Sequence, residues 1–319
     1  MFKNILFWLK CARPYSIPIT IFSWAVIYIY ALKMGGNPYT GLVALIGIIL
    51  VHLATNLSDD YFDYKILSRE EKFFNAAKNC KCAYLKNNQA TIKDLRNTII
   101  TMLGIAGIIG AVLFFISGKY VALLALIGGS IAITYPLFSS NGLGEIAVIT
   151  AYGPLLFEGV YYVMTKHFSH EALFLSFACA LITNTILYAH MLMDFDQDEC
   201  SHKTTLCRLL KTKTNALNFL LVFYVLSFVI LGYLAYQTNN YLYFLPFITI
   251  PMIIELYFHL KAYNIDKTNL PKVYPWHKPL DNWTQTLKSG DAPFYFRFLY
   301  ARNIMVLFMF LICIAIIFE

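Results

Sequence analysis

The stretch TIITMLGIAGIIGAVLFFIS occupies residues 98–117 and contains no charged side chain. About 20 residues of α-helix rise about 30 Å, which matches the hydrocarbon thickness of a bilayer. Apolar runs of similar length recur along the chain, at roughly 17–34, 40–58, 119–138, 144–165, 170–193, 215–236, 241–260 and 302–318. The sequence therefore predicts an all-α, polytopic integral membrane bundle of about nine transmembrane helices.

Composition supports a lipid environment for the whole chain. Of its 319 residues, 59% are hydrophobic and only 13% are charged, whereas charged residues make up about a quarter of a typical soluble domain. The apolar runs are continuous and do not alternate with polar residues, which favours helices over barrel strands. We expect one membrane-embedded domain over residues 1–319, with the lipid bilayer as a partner and a long cytoplasmic loop at about 261–302.

The distribution of basic residues predicts the orientation. Of the 25 lysines and arginines, those that fall in the predicted outer segments are Lys33, Lys119 and Lys166. The positive-inside rule then places the N-terminus in the cytoplasm and the C-terminus outside, in a multi-pass protein of the inner (cytoplasmic) membrane. Basic loops beside an anionic leaflet explain the net charge of +7, so no nucleic-acid partner is expected.

Two acidic motifs end two of the predicted spans on the cytoplasmic side. In the first motif, Asn56, Asp60 and Asp63 lie at i, i+4 and i+7 and therefore share one helix face. In the second motif, Asp194 and Asp198 are i, i+4 neighbours. Two carboxylates about 4 Å apart repel each other by about 4 kcal/mol at an effective dielectric constant of 20, so a cation is expected between them.

Hard oxygen ligands on two facing helices suit Mg²⁺, which fills its other positions with water and substrate phosphates. The motifs therefore predict a site that holds and ionises a diphosphate. Lys203 and Arg208 follow the second motif and are candidates to bind phosphate oxygens. Two alternatives stay open at this point: helix-end acids that simply meet water, and an ion-coupled membrane transporter, since buried acids also mark ion pathways.

At these motifs the sequence resembles the UbiA superfamily of membrane prenyltransferases, most closely the branch that acts on 1,4-dihydroxy-2-naphthoate. The resemblance covers most of the chain. It rests on Ala12-Arg13-Pro14 with Ile17-Pro18, the first motif, Tyr135-Pro136, Gly142-Leu143-Gly144-Glu145, Gly159 to Thr165, the second motif, and Lys203-Thr-Thr205-Leu206.

The resemblance implies nine helices around a central cavity and a Mg²⁺ ion held by Asn56, Asp60, Asp63, Asp194 and Asp198, the four aspartates being catalytic. It implies a polyprenyl diphosphate bound by Asn56, Lys203 and Arg208, and an aromatic acceptor lined by Arg13, Tyr135, Glu145 and Tyr161. The implied reaction transfers the polyprenyl group to 1,4-dihydroxy-2-naphthoate, with loss of its carboxyl group, in menaquinone biosynthesis. An acceptor such as 4-hydroxybenzoate stays open, because related enzymes share the same Asp-rich motifs.

Four positions depart from the pattern of the family: Asp59, His190, Met193 and His202. They replace amide, basic or glycine positions, so the donor site has fewer amide and basic groups than the family usually has. The segment 261–302 is not part of the family core. Its length and aromatic content favour a cytoplasmic lid or an interfacial helix.

Overall fold

The computed structural model describes residues 2–67, 83–200, 203–278, 280, 283–288 and 290–319. Across these residues the chain is helical, and its β structure is limited to one isolated bridge between Asn141 and Thr204. The described residues include nine helices long and apolar enough to span a membrane, which confirms the predicted fold class. Numbered first to ninth span, they are Pro14–Lys33, Pro38–Lys65, Ile92–Ser117, Tyr120–Ser140, Gly144–Thr165, His170–Met193, Lys213–Thr238, Tyr241–Ile265 and Ala292–Ile317.

Shorter helices flank the spans. They are Phe2–Cys11 before the first span, Ala83–Lys86 before the third, Phe195–Cys200 and Leu206–Leu209 after the sixth, and Trp283–Leu287 before the ninth. The helix of the second span continues to Leu67, so both the acids of the first motif and the residues that follow them are helical. Residue His202 and residues 68–82, part of the predicted loop 59–97 between the second and third spans, lie outside the described residues.

The ninth span begins at Ala292, ten residues before the predicted start at 302. The prediction stopped at charged residues, but Arg297 and Arg302 are fully buried and hydrogen-bonded inside the bundle. An arginine that is hydrogen-bonded to protein groups inside the bundle does not end a span. The eighth span also continues to Ile265, so the segment that joins it to the ninth is residues 266–291, shorter than the predicted 261–302.

The sixth and ninth spans form the centre of the bundle. In the most apolar window of each, 72% of the residues are buried, against 11% in the third span. The third span instead exposes large apolar side chains such as Phe115, which suits a surface in contact with lipid. The first span packs between the second, fifth and ninth spans.

Connections of two to four residues make the spans that they join antiparallel, and the bundle has two distinct ends. The motif end is where the second span ends in the first acidic motif and the sixth span ends in the second. At the opposite end, Lys33 forms a 3.1 Å ion pair with Glu319 and joins the first span to the C-terminus.

The fifth span is interrupted by a π-helical turn at Ala151–Leu155. Gly153 in this turn has non-helical backbone angles, and a Cβ atom there would lie 2.9 Å from the Cβ of Ala180. The missing side chain lets the fifth span lie close against the sixth. The wider turn also changes the direction in which Tyr152 points relative to a regular helix.

Candidate active site at the motif end

Asp60 lies at the centre of the first motif and is fully buried. Its carboxylate accepts hydrogen bonds from the guanidinium of Arg13 and from the hydroxyl of Tyr84, the latter at 3.0 Å. Arg13 also donates to Asp59 at 3.2 Å. Burial lowers the pKa of Arg13, but the carboxylates of Asp60 and Asp59 outweigh it and raise that pKa well above its usual value. The first motif therefore carries its own permanent positive charge.

The turn that delivers Arg13 has an unusual backbone. Arg13 has φ 59°, in the left-handed region that side chains other than glycine rarely adopt. Ser16 holds this turn, since both its backbone N–H and its hydroxyl donate to the carbonyl of Arg13, at 3.0 and 2.8 Å. Asn56 donates to the carbonyl of Ala12 at 2.9 Å and to Ser16 Oγ at 3.1 Å. Both amide hydrogens of Asn56 are thus used, and its Oδ1 is the atom left for a cation.

Lys203 joins the two motifs. Its ammonium lies 3.0 Å from Asp63 Oδ1 in the first motif, and its backbone N–H donates to the carbonyl of Asp198 in the second. Burial lowers the pKa of Lys203, but the nearby carboxylates of Asp63, Asp59 and Asp198 hold it above the usual value. Lys203 is therefore a charged group between the two sets of acids.

The second motif spans a break in the helix. Asp194 caps the sixth span with non-helical backbone angles, and a new helix begins at Phe195. The N–H of Asp198 still donates to the carbonyl of Asp194 at 2.8 Å, so the predicted i, i+4 relation survives the break. His190 Nε2 lies 3.2 Å from Asp194 Oδ2, and the His190 ring packs edge-on against Phe294.

These residues fit a magnesium site. The carboxylates of both motifs and the amide oxygen of Asn56 are hard oxygen donors, the type that Mg²⁺ selects. Asp60 and Asp198 are buried, so uncompensated charge on them would be costly. Residues that could hold the ion are those of the predicted ligand set, Asn56, Asp60, Asp63, Asp194 and Asp198.

Glu145 and Tyr135 lie beside this cluster. Glu145 is 3% exposed, and within the described part of the chain neither of its carboxylate oxygens has a hydrogen-bond partner. Tyr135 interacts electrostatically with Asp59, Arg13 and Glu145, so it lies near both the first motif and Glu145. An unpaired buried carboxylate at this position can accept a hydrogen bond from a ligand hydroxyl.

Two predicted site residues have other surroundings. Tyr161 lies at the opposite end of the bundle, where its ring packs 5.7 Å from that of Tyr30. It follows Glu145 by 16 residues in the same span, a rise of about 24 Å along a helix. The structure therefore does not bring Tyr161 to the acidic cluster. Arg208 places its guanidinium 4.6 Å from the centre of the Phe195 ring, next to the second motif.

A cluster of Glu255, His259 and His277 near the motif end was missed by the sequence reasoning, and its ligand atoms lie within 4.8 Å of one another. His277 Nε2 is 3.0 Å from Glu255 Oε1. The backbone N–H of Tyr274 donates to His277 Nδ1, so a neutral His277 carries its proton on Nε2. That nitrogen then donates to the carboxylate and has no lone pair for a metal ion.

The other oxygen of Glu255 is also satisfied. It accepts hydrogen bonds from Tyr300 Oη at 2.6 Å and from Trp276 Nε1 at 3.0 Å. His277 and Trp276 belong to the segment 266–291, whereas Glu255 and Tyr300 belong to the eighth and ninth spans. The cluster therefore fastens this segment to the bundle. Burial lowers the pKa of His277 despite the nearby Glu255.

These charged groups lie at one end of the bundle, whereas secondary transporters place their substrate and ion sites near the midplane of the bilayer. Residues 17–271 match the UbiA prenyltransferase family, and the chain belongs to that family. It is an enzyme of the prenyltransferase class. This membership decides between the enzyme and the transporter that the sequence left open, and it makes the chain a multi-pass membrane protein.

Two curated relatives are named 1,4-dihydroxy-2-naphthoate octaprenyltransferase. The protein from Haemophilus influenzae is 26% identical over 217 residues, which cover 64% of this chain and 69% of the relative. The protein from Escherichia coli is 26% identical over 212 residues, or 62% of this chain and 67% of the relative.

Solved structures show the same fold. A UbiA homolog from Aeropyrum pernix K1 superposes with a TM-score of 0.63 at 17% identity, covering 94% of this chain and 97% of that one. A UbiA homolog from Archaeoglobus fulgidus bound to GPP and Mg²⁺ gives a TM-score of 0.60 at 12% identity, covering 96% and 99%.

Proposed function

We propose that this protein transfers a polyprenyl group from a polyprenyl diphosphate to an aromatic acceptor in a Mg²⁺-dependent reaction, and that the acceptor is 1,4-dihydroxy-2-naphthoate. The observation that carries the proposal is Lys203, a charged amine held between the acids of the two motifs. A diphosphate is the ligand that such an arrangement of acids and bases suits, because its charge requires both metal ions and cationic side chains.

The donor half of the reaction breaks the bond between the first prenyl carbon and the diphosphate oxygen, and the diphosphate leaves with the electron pair. Mg²⁺ bound by the two motifs would supply charge neutralisation on the leaving group. Lys203 holds phosphate oxygens, while Arg13 pairs with Asp59 and Asp60 and orients their carboxylates. The family relation and the homolog bound to GPP and Mg²⁺ support this half of the proposal.

The acceptor half forms a bond between the first prenyl carbon and an aromatic carbon. If the attacked carbon bears the carboxylate, loss of CO₂ returns the bonding electrons to the ring and restores aromaticity. Glu145 accepts a hydrogen bond from an acceptor hydroxyl and so raises the electron density of the ring. The names of the two curated relatives support this acceptor over 4-hydroxybenzoate.

The test is an assay of prenyl transfer in membranes that contain the protein, with radiolabelled polyprenyl diphosphate and either aromatic acid, with and without Mg²⁺. We expect metal-dependent product with 1,4-dihydroxy-2-naphthoate. Product with 4-hydroxybenzoate alone would retain the reaction and reject the acceptor. Absence of product with either acid would count against the proposed reaction.

A matched pair of variants tests the site itself. Asp194→Asn removes the negative charge of a proposed ligand, and Asp196→Asn makes the same change two residues further along the motif. Asp196 is 46% exposed and pairs with Lys213 and Lys267, away from the proposed ligand set. We expect loss of activity of at least about 100-fold for the first variant, as for other removed electrostatic catalysts. The second should stay within about twofold because exposed ion pairs contribute little.

We also propose that the motif end faces the cytoplasm, with the N-terminus inside and the C-terminus outside the inner membrane. The distribution of lysine and arginine supports this orientation. Alkaline phosphatase fused after Glu319 should be active, and a fluorescent protein fused at the same place should be dark. The reverse pattern would overturn the orientation.

A further inference from the structure

The first motif continues deeper into the membrane than its acids. His52 lies four residues before Asn56 on the same helix face, in the middle of the second span. Both nitrogens of its ring are engaged: Nε2 lies 2.9 Å from Ser16 Oγ, and Nδ1 lies 2.5 Å from Thr20 Oγ1 and 3.0 Å from Tyr152 Oη. An imidazole at this depth therefore joins the first, second and fifth spans.

The hydrogen bonds of Ser16 determine which nitrogen of the His52 ring donates and which accepts. Ser16 has one hydroxyl hydrogen, which it donates to the carbonyl of Arg13. Ser16 Oγ must therefore accept from its other neighbours, which are Asn56 Nδ2 and His52 Nε2. Since Nε2 then carries the proton of a neutral imidazole, Nδ1 accepts from the hydroxyls of Thr20 and Tyr152.

The fifth span supplies one of these donors, the hydroxyl of Tyr152. Tyr152 lies in the π-helical turn Ala151–Leu155, and its ring meets the His52 ring at an interplanar angle of 88°. A π-helical turn carries one residue more than the regular helix and redirects the side chains within it. The π-helical turn of the fifth span thus allows Tyr152 to contact His52.

The other end of the chain of contacts reaches the proposed metal and diphosphate site. Ser16 fixes the carbonyl of Arg13, whose left-handed backbone directs the guanidinium to Asp59 and Asp60. The same hydroxyl fixes the amide of Asn56. We propose that His52 is a positioning residue that aligns Arg13 and Asn56 through Ser16, and so sets the affinity of the site for Mg²⁺ and a prenyl diphosphate. This inference rests on the proposed function.

The experiment measures thermal unfolding of the purified protein in detergent over a titration with geranyl diphosphate, with and without Mg²⁺. His52→Leu removes the hydrogen bonds of both ring nitrogens at similar volume, and His52→Gln keeps a donor and an acceptor. Ser16→Ala breaks the next link with a smaller change. Ser227→Ala is the control, because it removes a buried hydroxyl that donates to the carbonyl of Ala178 in a distant part of the bundle.

We expect His52→Leu and Ser16→Ala to weaken Mg²⁺-dependent binding of geranyl diphosphate by about tenfold or more, the loss of one to two hydrogen bonds. His52→Gln should restore binding to within about threefold of the wild type, and Ser227→Ala should bind as the wild type does. A merely structural His52 would lower the unfolding temperature without ligand and leave the affinity unchanged, which overturns the inference.

Failure of the proposed function has a different signature. The wild type itself would then show no Mg²⁺-dependent stabilisation by geranyl diphosphate, and the positioning role would fall with it. If the wild type is stabilised and both His52→Leu and Ser16→Ala retain the full affinity, the proposed function stands and the role of His52 is rejected.

Discussion

Replacement of Lys203 by methionine tests the link between the two motifs. Its ammonium is 3.0 Å from Asp63 Oδ1, and the two side chains are 28% and 17% exposed. At that distance the Coulomb attraction is about 5 to 6 kcal/mol for an effective dielectric constant of 20, an upper bound on the net effect. Measured losses for hydrogen bonds to charged groups are smaller, about 1.5 to 3 kcal/mol. Lys203→Met should therefore lower kcat/KM for the prenyl diphosphate by about 10- to 100-fold.

The assay is the initial rate of prenyl transfer in proteoliposomes over a range of prenyl diphosphate and Mg²⁺ concentrations. Lys267→Met is the matched control, since Lys267 pairs with Asp196 at the same distance of 3.0 Å but is half exposed. Exposed ion pairs contribute about 0 to 1 kcal/mol, so the control should stay within about fivefold of the wild type. Equal rates for Lys203→Met and Lys267→Met, with both proteins folded, would refute the bridging role.

Three further outcomes follow from the structure. Tyr161→Phe should leave transfer rates within about twofold, because Tyr161 lies at the opposite end of the bundle; a tenfold loss in the same assay would contradict this placement. Glu145→Gln should raise KM for the aromatic acceptor by about 10-fold, the loss of a hydrogen bond to a charged group. KM for the diphosphate, measured in parallel, should not change. Burial lowers the pKa of His277, so as pH falls below about 6.5 the unfolded chain takes up the proton first and stability is lost. Thermal unfolding scans should show the midpoint falling between about pH 7.5 and 5.5, and falling less in His277→Gln.

The existence of the spans could be predicted because hydrocarbon demands long apolar helices. Their ends could not be predicted where a buried charge continues the helix. Arg297 donates to the carbonyls of His259 in the eighth span and Asn269 in the segment after it, and these groups become its neighbours only when the bundle packs. The sequence does not distinguish a charged residue at the end of a span from one inside it. The difference lies in the hydrogen-bond partners that the folded bundle supplies.

The acids of the first motif could be placed on one face by their spacing alone, whereas the environment of Arg13 could not. Its contact with Asp59 joins residues 46 positions apart. The contact also depends on a left-handed backbone at Arg13 itself, where the sequence has none of the residues that favour this conformation, glycine, asparagine or aspartate. The resemblance suggested a place for Arg13 on the acceptor side. The structure instead places its guanidinium on the carboxylates of the first motif.

Depth in the membrane explains which partners the polar side chains of the second span acquire. His52 lies far from either end of its span, where water is scarce, so both ring nitrogens find hydroxyls of neighbouring spans. Asn56, one turn nearer the motif end, bonds the N-terminal turn, and Asp60 one turn further takes Arg13 and Tyr84. Asp63, at the end of the span, reaches Lys203 from the second motif. Each turn of one helix face thus fixes a different neighbour. A substitution at any of these four positions should therefore weaken the affinity for a prenyl diphosphate. The loss of affinity should become smaller with distance from Asp63.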